Sequence, residues 1–269
     1  MTRIALDAFG SDRAPDPEVQ GAIRAVNSAQ DLEVLLVGPK EKLLSLPELR
    51  EGLPFRITIE DSGDGVPMDA KPREALRLYK KSSLYRAIHL HKEGEVNGVV
   101  SAGNTGVIMA FSLFTLGRIP GIKRPAIAAI IPNTEGLVLF IDAGANSSAR
   151  PEHLFQFAVM ATYYMKLEMG LSKPRVGLLS VGTEETKGNP LVERALRLIK
   201  NCKELNFIGL IEGNDFFTNR TDIIVTDGFT GNVILKFGEG VAEMLINAFG
   251  DLLTPRGYSD TDIERYKKI

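Results

Sequence analysis

Short apolar runs recur along this chain at residues 4–6, 34–37, 99–100, 126–131, 137–141, 176–179, 207–211 and 223–225. Most are continuously apolar and do not alternate with polar residues, the pattern of strands buried on both faces of a mostly parallel sheet. Between them lie stretches with helical spacing at 17–27, 72–93, 105–116, 152–167, 190–203 and 232–253. Asp16 is expected to cap the first of these, with Pro17 at its first helical position. The alternation predicts an α/β fold, a three-layer Rossmann-like arrangement around a mostly parallel sheet. The runs 126–131 and 137–141 are joined by only PNTEG, too short for a helical crossover. They are expected to form an antiparallel hairpin, which makes the sheet mixed. The loop 61–72, rich in Gly, Asp and Pro, is the candidate for a mobile flap.

In open α/β sheets, ligands bind beyond the carboxyl ends of the strands. Those ends carry DAFGSD (7–12), SAGNTG (101–106), DAGAN (142–146), SVGTEETKGN (180–189), EGND (212–215) and TDGFTGN (226–232). Each could be explained by helix caps and turns. Together they suggest a shared polar cleft. Gly, Thr and Asn ahead of helix starts leave backbone N–H groups free for an anion. Lys187 adds a point charge suited to phosphate.

Composition narrows the chemistry. The 269 residues carry 32 Lys and Arg against 34 Asp and Glu, a balance that gives no reason to expect nucleic acid, although it permits a local basic pocket. The single cysteine, Cys202, has no CxxC partner and reads as an ordinary thiol. The chain opens directly on a strand, so no signal peptide is expected, and the absence of disulfide chemistry suits the cytoplasm. No apolar run approaches the roughly 20 residues of a membrane span. There is no GxGxxG after the first strand, no GxxxxGK[ST] and no GxSxG. His89 and His91 are two apart in a helical stretch and read as structural, while His153 reads as a cap residue. No metal and no cofactor are expected.

The strings SAGNTG, RPAIA (124–128), DAGAN, PEHLFQFA (151–158), GTEETKGN and TDGFTGNVILK (226–236) closely resemble the bacterial acyl-ACP:phosphate acyltransferase family. RIALDAFGSD looks like that family's DAMGGD signature with Phe9 and Ser11 substituted, and Val181 stands where Asn is usual. The resemblance implies a fold like that of the isocitrate and isopropylmalate dehydrogenases, without a bound nicotinamide, as one catalytic domain over residues 1–269. The implied reaction converts acyl-ACP and inorganic phosphate into acyl phosphate and holo-ACP. A homodimer is implied as well, and a membrane glycerol-3-phosphate acyltransferase that consumes the product. By the same resemblance Lys187 and Asn232 are the catalytic candidates. The candidate substrate- and phosphate-binding residues are Asn104, Thr105 and Gly106 in SAGNTG, and Asp142 and Asn146 in DAGAN. Thr183 and Glu184 in GTEETKGN, with Asp227 and Thr230 in TDGFTGN, complete the set.

Family members continue past the point where this chain stops, at Ile269, so the resemblance implies either a truncated chain or a different C-terminal part. The stripe Val241, Met244, Leu245, Ala248, Phe249, Leu252 and Leu253 reads first as a core or dimer face and second as a peripheral membrane contact. Two other readings stand beside the acyltransferase. One is an NAD- and metal-dependent hydroxyacid dehydrogenase of the same fold, which would use Asp142, Asp215 and Asp227; the other is a non-catalytic phosphate or acyl-phosphate sensor.

Overall fold

A computed structural model of the chain describes residues 1–253, and the chain falls into two compact units that meet in sequence at Pro120 and Gly121. In the first, β1 (Thr2–Asp7), β2 (Leu32–Gly38), β3 (Ile57–Asp61) and β4 (Gly98–Val100) form one sheet in the order β3-β2-β1-β4. All three pairings are parallel. Its helices are α1 (Asp16–Ser28), α2 (Lys40–Leu44), α3 (Pro47–Arg50), α4 (Pro72–Leu78), α5 (Ser83–Lys92) and α6 (Thr105–Thr115). Side chains alternate across a strand, so Val34 and Leu36 of β2 pack with Val19, Ala22 and Val26 of α1. Leu35 and Val37 join Ala87 and Leu90 of α5 on the other face. Both faces are dry, which is why the run reads as continuously apolar.

The second unit repeats the plan. Its strands are β5 (Ala128–Pro132), β6 (Leu137–Ile141), β7 (Arg175–Leu179), β8 (Asn206–Ile211) and β9 (Ile223–Val225), in the order β5-β6-β9-β7-β8. Only β5 runs antiparallel, and the expected hairpin is present. Its helices are α7 (Pro151–Leu167), α8 (Pro190–Lys200) and α9 (Gly228–Leu253). Leu139, Ile141, Val176, Leu178, Ile223 and Val225 face α7 and α8, where Phe157 is fully buried. Val138, Phe140 and Ile224 face the other way, with Ile234 and Leu235 of α9 packed against them. Pro132 lies in the edge strand β5, and the pairing of β7 with β8 slips at Val176/Gly177, where Ile208 is skipped and Gly209 takes φ 105°.

The architecture is the mixed, mostly parallel α/β fold expected, but its strands divide between two sheets. Several details correct the sequence reading. The stretch 72–93 is two helices, because Ser82 caps a new one: its hydroxyl accepts from the Tyr85 N–H at 3.3 Å. Asp16 lies inside α1 and not at its cap, which Pro15 occupies. The loop 61–72 is tied down and is not a free flap. Gly63 donates to the Lys81 carbonyl at 2.7 Å, Val66 is buried, and a Cβ at Gly65 would sit 1.8 Å from the Phe9 carbonyl oxygen. The strand β3 and the helices α2 and α3 are additions to the expected elements.

Among its described residues the apolar stripe of α9 is not core. Met244 is 60% exposed, Leu245 48% and Phe249 62%, while Val241 is half-buried. The side chains of Leu252 and Leu253, and all of residues 254–269, lie outside the described residues. Among the described residues no helix is long and apolar enough to cross a membrane.

Removing a ring from the α7 core should be costly and removing one from the surface should not. Phe157→Ala is expected to lower the unfolding free energy by about 3–5 kcal/mol. Phe55→Ser, at a position 83% exposed, should change it by about 0.5 kcal/mol or less. Urea midpoints of the two variants check the contrast.

Candidate functional site

In the second unit, β6, β9, β7 and β8 are adjacent and parallel, so their carboxyl ends open on one edge of the sheet. DAGAN, TDGFTGN, GTEETKGN and EGND all leave from that edge. The first two are built into each other around Asp142, whose side chain is fully buried. Its Oδ1 accepts the N–H groups of Ile127 (3.1 Å), Gly144 (3.1 Å) and Ala145 (2.8 Å). Its Oδ2 accepts the Asn146 N–H (2.9 Å) and the Asn146 Nδ2 (2.8 Å). Five donors satisfy the carboxylate, which fixes the loop and leaves no capacity for an incoming ligand. Asn146 closes the arrangement by donating from Nδ2 to the Pro125 carbonyl at 2.8 Å.

TDGFTGN packs against this loop through its glycines. A Cβ at Gly231 would lie 1.9 Å from the Asp142 carbonyl oxygen, and one at Gly228 would lie 2.8 Å from Asp142 Oδ2. Asp227 caps the helix: its Oδ1 accepts the N–H groups of Phe229 and Thr230, both at 3.0 Å, and its Oδ2 accepts the Thr230 hydroxyl at 2.7 Å. What remains outward is Asn232, an exposed residue in the first turns of α9. It lies beside Gly144, where a Cβ would come within 3.4 Å of its Oδ1.

The third loop presents its polar groups to solvent. Thr183, Glu184 and Lys187 are exposed, and among the described residues Lys187 forms no ion pair, whereas Glu185 is held by Lys200. The Lys187 N–H donates to the Glu184 carbonyl at 2.8 Å, and Gly188 takes φ 113°. Asn189 then caps α8 by accepting from the Val192 N–H at 3.0 Å. The Ser180 hydroxyl at the exit of β7 is buried without a partner.

The first unit has its own polar centre, at the exits of β1 and β4. Asp7 is buried and accepts the hydroxyls of Ser83 (2.5 Å) and Ser101 (2.6 Å). Burial raises its carboxyl above the ordinary value, against the opposing pull of the Ser101 and Ser83 hydroxyls and the Phe9 N–H, and the nearby Glu18 adds to the rise. Gly10 is required here, since a Cβ would stand 2.8 Å from Asp7 Oδ2. Asn104 spends its side chain on structure: Oδ1 accepts from Val107 N–H at 3.1 Å, and Nδ2 donates to the carbonyls of Met68 (2.6 Å) and Ala70 (3.3 Å). Thr105 and Gly106 head α6 with exposed backbone, where a helix leaves its N–H groups unpaired.

Of the sequence candidates, Asp142, Asn146, Asp227 and Thr230 therefore form one cluster with Asn232. Thr183, Glu184 and Lys187 share the neighbouring loop. The Asp7–Ser83–Ser101 centre was not among the named site candidates, although Asp7 and Ser101 open two of the strand-exit strings. The three carboxylates a metal-dependent reading would use are otherwise engaged, Asp215 being paired with Arg220 at 2.8 Å. Among the described residues there is no group of three or more His, Cys, Asp or Glu placed to hold a metal. His153 Nδ1 accepts the Arg150 N–H at 3.2 Å, and burial lowers its pKa, helped by Arg124 and Arg150. His89 and His91 donate to the carbonyls of Tyr85 and Val96. Burial raises the Cys202 thiol, consistent with an unreactive group.

Comparison with known proteins places this geometry. Residues 2–259 match the family described as "Fatty acid synthesis protein". The phosphate acyltransferase of Heliobacterium modesticaldum is 48% identical over 252 residues, which span 93% of this chain and 75% of that protein. Among solved structures, the EutD phosphotransacetylase of Staphylococcus aureus superposes with a TM-score of 0.64 at 17% identity, over 91% of this chain and 82% of that one. A 4-hydroxythreonine-4-phosphate dehydrogenase from Klebsiella pneumoniae gives 0.53 at 15% identity, over 88% and 85%. These two likenesses establish the dehydrogenase-like fold.

Two glycines of α9 should respond oppositely to alanine. Gly231→Ala collides with the Asp142 backbone and should cost about 1–3 kcal/mol. A Cβ at Gly238 meets nothing within 4 Å, so Gly238→Ala should stabilise by roughly 0.5–1 kcal/mol through helix propensity. Denaturant titration of both variants reads the signs.

Asp7 gives a pH test. Its raised pKa means that the folded state keeps a proton which the unfolded chain, near the ordinary 3.8, has released. Its contribution to stability is therefore complete below that value and is lost as pH rises through the folded pKa. Asp7→Asn should flatten that part of the stability–pH curve.

Proposed function

The chain belongs to the phosphate acyltransferase family, and from that premise we propose how it transfers an acyl group from acyl-ACP to inorganic phosphate, yielding acyl phosphate and holo-ACP in phospholipid synthesis. The observation that carries the reading is the edge of the second sheet, where Lys187 of one loop and Asn232, beside the loop held by Asp142, are exposed polar groups. The family match spans both units, which supports treating residues 1–269 as one catalytic domain.

Lys187 holds the phosphate as a point charge. A phosphate oxygen attacks the thioester carbonyl carbon; the new C–O bond forms as the C–S bond breaks, and the thiolate leaves to take up a proton as holo-ACP. The thioester is already activated and phosphate is already a nucleophile, so positioning and charge stabilisation suffice without a covalent enzyme intermediate. Asn232 Nδ2 donates to the oxygen that becomes negative in the tetrahedral state. Asp142 and Asn146 act behind it by fixing the loop on which Asn232 rests. Asp227 and Thr230 set the start of its helix. Thr183 and Glu184 shape the phosphate side. Within the first unit, the Thr105 and Gly106 N–H groups at the head of α6 form that unit's own candidate anion-binding end.

The remaining partners follow from the same reading. The outward face of α9, with Phe229, Val233 and Phe237 all more than half exposed, suits the contact of a homodimer. It also suits a peripheral membrane contact near the glycerol-3-phosphate acyltransferase that uses the product.

The test is phosphate-dependent release of holo-ACP from palmitoyl-ACP. Lys187→Ala and Asn232→Ala should each lower kcat at least about 100-fold, the usual consequence of losing one charge-stabilising donor, with unchanged thermal unfolding. Turnover in either variant equal to wild type would remove that residue from the mechanism. Phosphate-independent release would refute the reaction.

A further inference from the structure

Ser180 follows β7 directly, and its N–H is spent on the Ile211 carbonyl of β8 at 2.8 Å. Its Oγ is buried and, among the described residues, has no hydrogen-bond partner. Such a group lowers stability unless something else makes use of it. The other unpaired buried side-chain atoms among the described residues are Ser11 Oγ, Glu18 Oε2, Arg56 Nε and Thr162 Oγ1. Of these five, Ser180 Oγ alone lies on the loop that carries Lys187. That loop leaves the sheet through Ser180, Val181 and Gly182 and returns through Lys187 and Gly188. Its two limbs lie close together. A Cβ at Gly188, where φ is 113°, would stand 3.1 Å from Ser180 Oγ, and one at Gly182 would stand 3.0 Å from Lys187 Cγ. The hydroxyl therefore rests against the residue that follows Lys187, and the stem of Lys187 crosses the limb that Ser180 begins.

The neighbouring lysine indicates what such a hydroxyl can serve. An ammonium is a point charge with rotatable donors, so it attracts an oxyanion without fixing how the anion is turned. A hydroxyl at the end of a strand is a directed donor. We propose that Ser180 is a phosphate-binding residue, whose Oγ–H donates to one oxygen of the phosphate held by Lys187 and so aims another oxygen at the thioester carbonyl. The assignment rests on the acyltransferase reading and adds to it a group that orients the second substrate. Ser180 as a whole is half-buried although its Oγ is covered. Rotation about χ1 carries the hydroxyl between staggered wells and away from Gly188 with no change of backbone. The bond it then makes replaces no bond that it already had. Thr183 and Thr186, exposed on the same loop, would have to give up solvent to do the same.

The experiment compares the full chain with its Ser180→Ala variant in two measurements. One is phosphate-dependent release of holo-ACP from palmitoyl-ACP; the other is the rise in thermal unfolding temperature as inorganic phosphate is added. Ser180→Ala should raise the phosphate concentration at half effect about tenfold or more in both, as expected for the loss of a hydrogen bond to a charged group. KM for palmitoyl-ACP should stay as in wild type. Without phosphate the variant should unfold at the wild-type temperature or above it, because an unpaired buried hydroxyl has been removed. An unchanged phosphate midpoint in Ser180→Ala overturns the assignment and leaves the functional reading intact. A lower unfolding temperature without phosphate overturns it in favour of a hydroxyl that supports the loop. An equal rise in KM for both substrates overturns it in favour of general damage to the site. Phosphate protection of wild type that weakens in the variant, with no turnover in either, upholds the phosphate contact and refutes the acyltransferase reading. Absence of both turnover and protection in wild type refutes the two together.

Discussion

The second unit depends on one buried negative charge. A carboxylate with no solvent is costly unless its lone pairs are filled, and Asp142 meets that requirement with five N–H donors from one loop and the residue leading into β5. The condition works in both directions. The donors can converge only if the loop after β6 curls tightly, and once it has curled only glycine fits where α9 begins. The position of Asn232 follows from that packing. A buried aspartate thus sets the location of a side chain that it does not touch.

The first unit solves a related problem differently. Asp7 also ends a central strand and is also buried, but its partners are mainly hydroxyls, from Ser83 and Ser101. Hydroxyls can rotate to suit either protonation state, whereas backbone N–H groups only donate. Burial is the leading cause of the raised Asp7 pKa, and the two hydroxyls pull against it. Both carboxylates hold strand-exit loops in place, one through rigid backbone and one through adjustable side chains.

Much of this was legible in the sequence, for identifiable reasons. Continuous apolar runs such as 34–37 and 137–141 gave the buried strands because both of their faces are covered. The five-residue PNTEG connection gave the hairpin. The strand-exit motifs gave the site loops, with Lys187 and Asn232 on them. Other features were hidden. ITIED of β3 alternates and carries charge, since the strand lies at an edge and half-exposed. The break between α4 and α5 depends on one serine choosing to cap, which helical spacing over 72–93 does not reveal. Asn104, Asp142 and Asp227 look like ligand-binding residues in a string of letters, but their side chains are engaged by backbone groups and by the neighbouring Asn146 and Thr230 side chains. Only the distances separate a cap from a binding group. The division of the strands into two sheets was likewise invisible, because strand order is set by pairing at long range.

The edges of the second sheet have a consequence for how the chain behaves in a crowded solution. An open sheet edge is a template on which another chain can lay a strand, the first step toward fibrous association. At one edge, Pro132 lacks an N–H to offer such a strand. At the other, the slip in β8 and the left-handed Gly209 interrupt the even row of donors and acceptors. Between these two blunted borders the apolar strands stay sealed, so the unit can carry a highly apolar sheet without recruiting its neighbours into one.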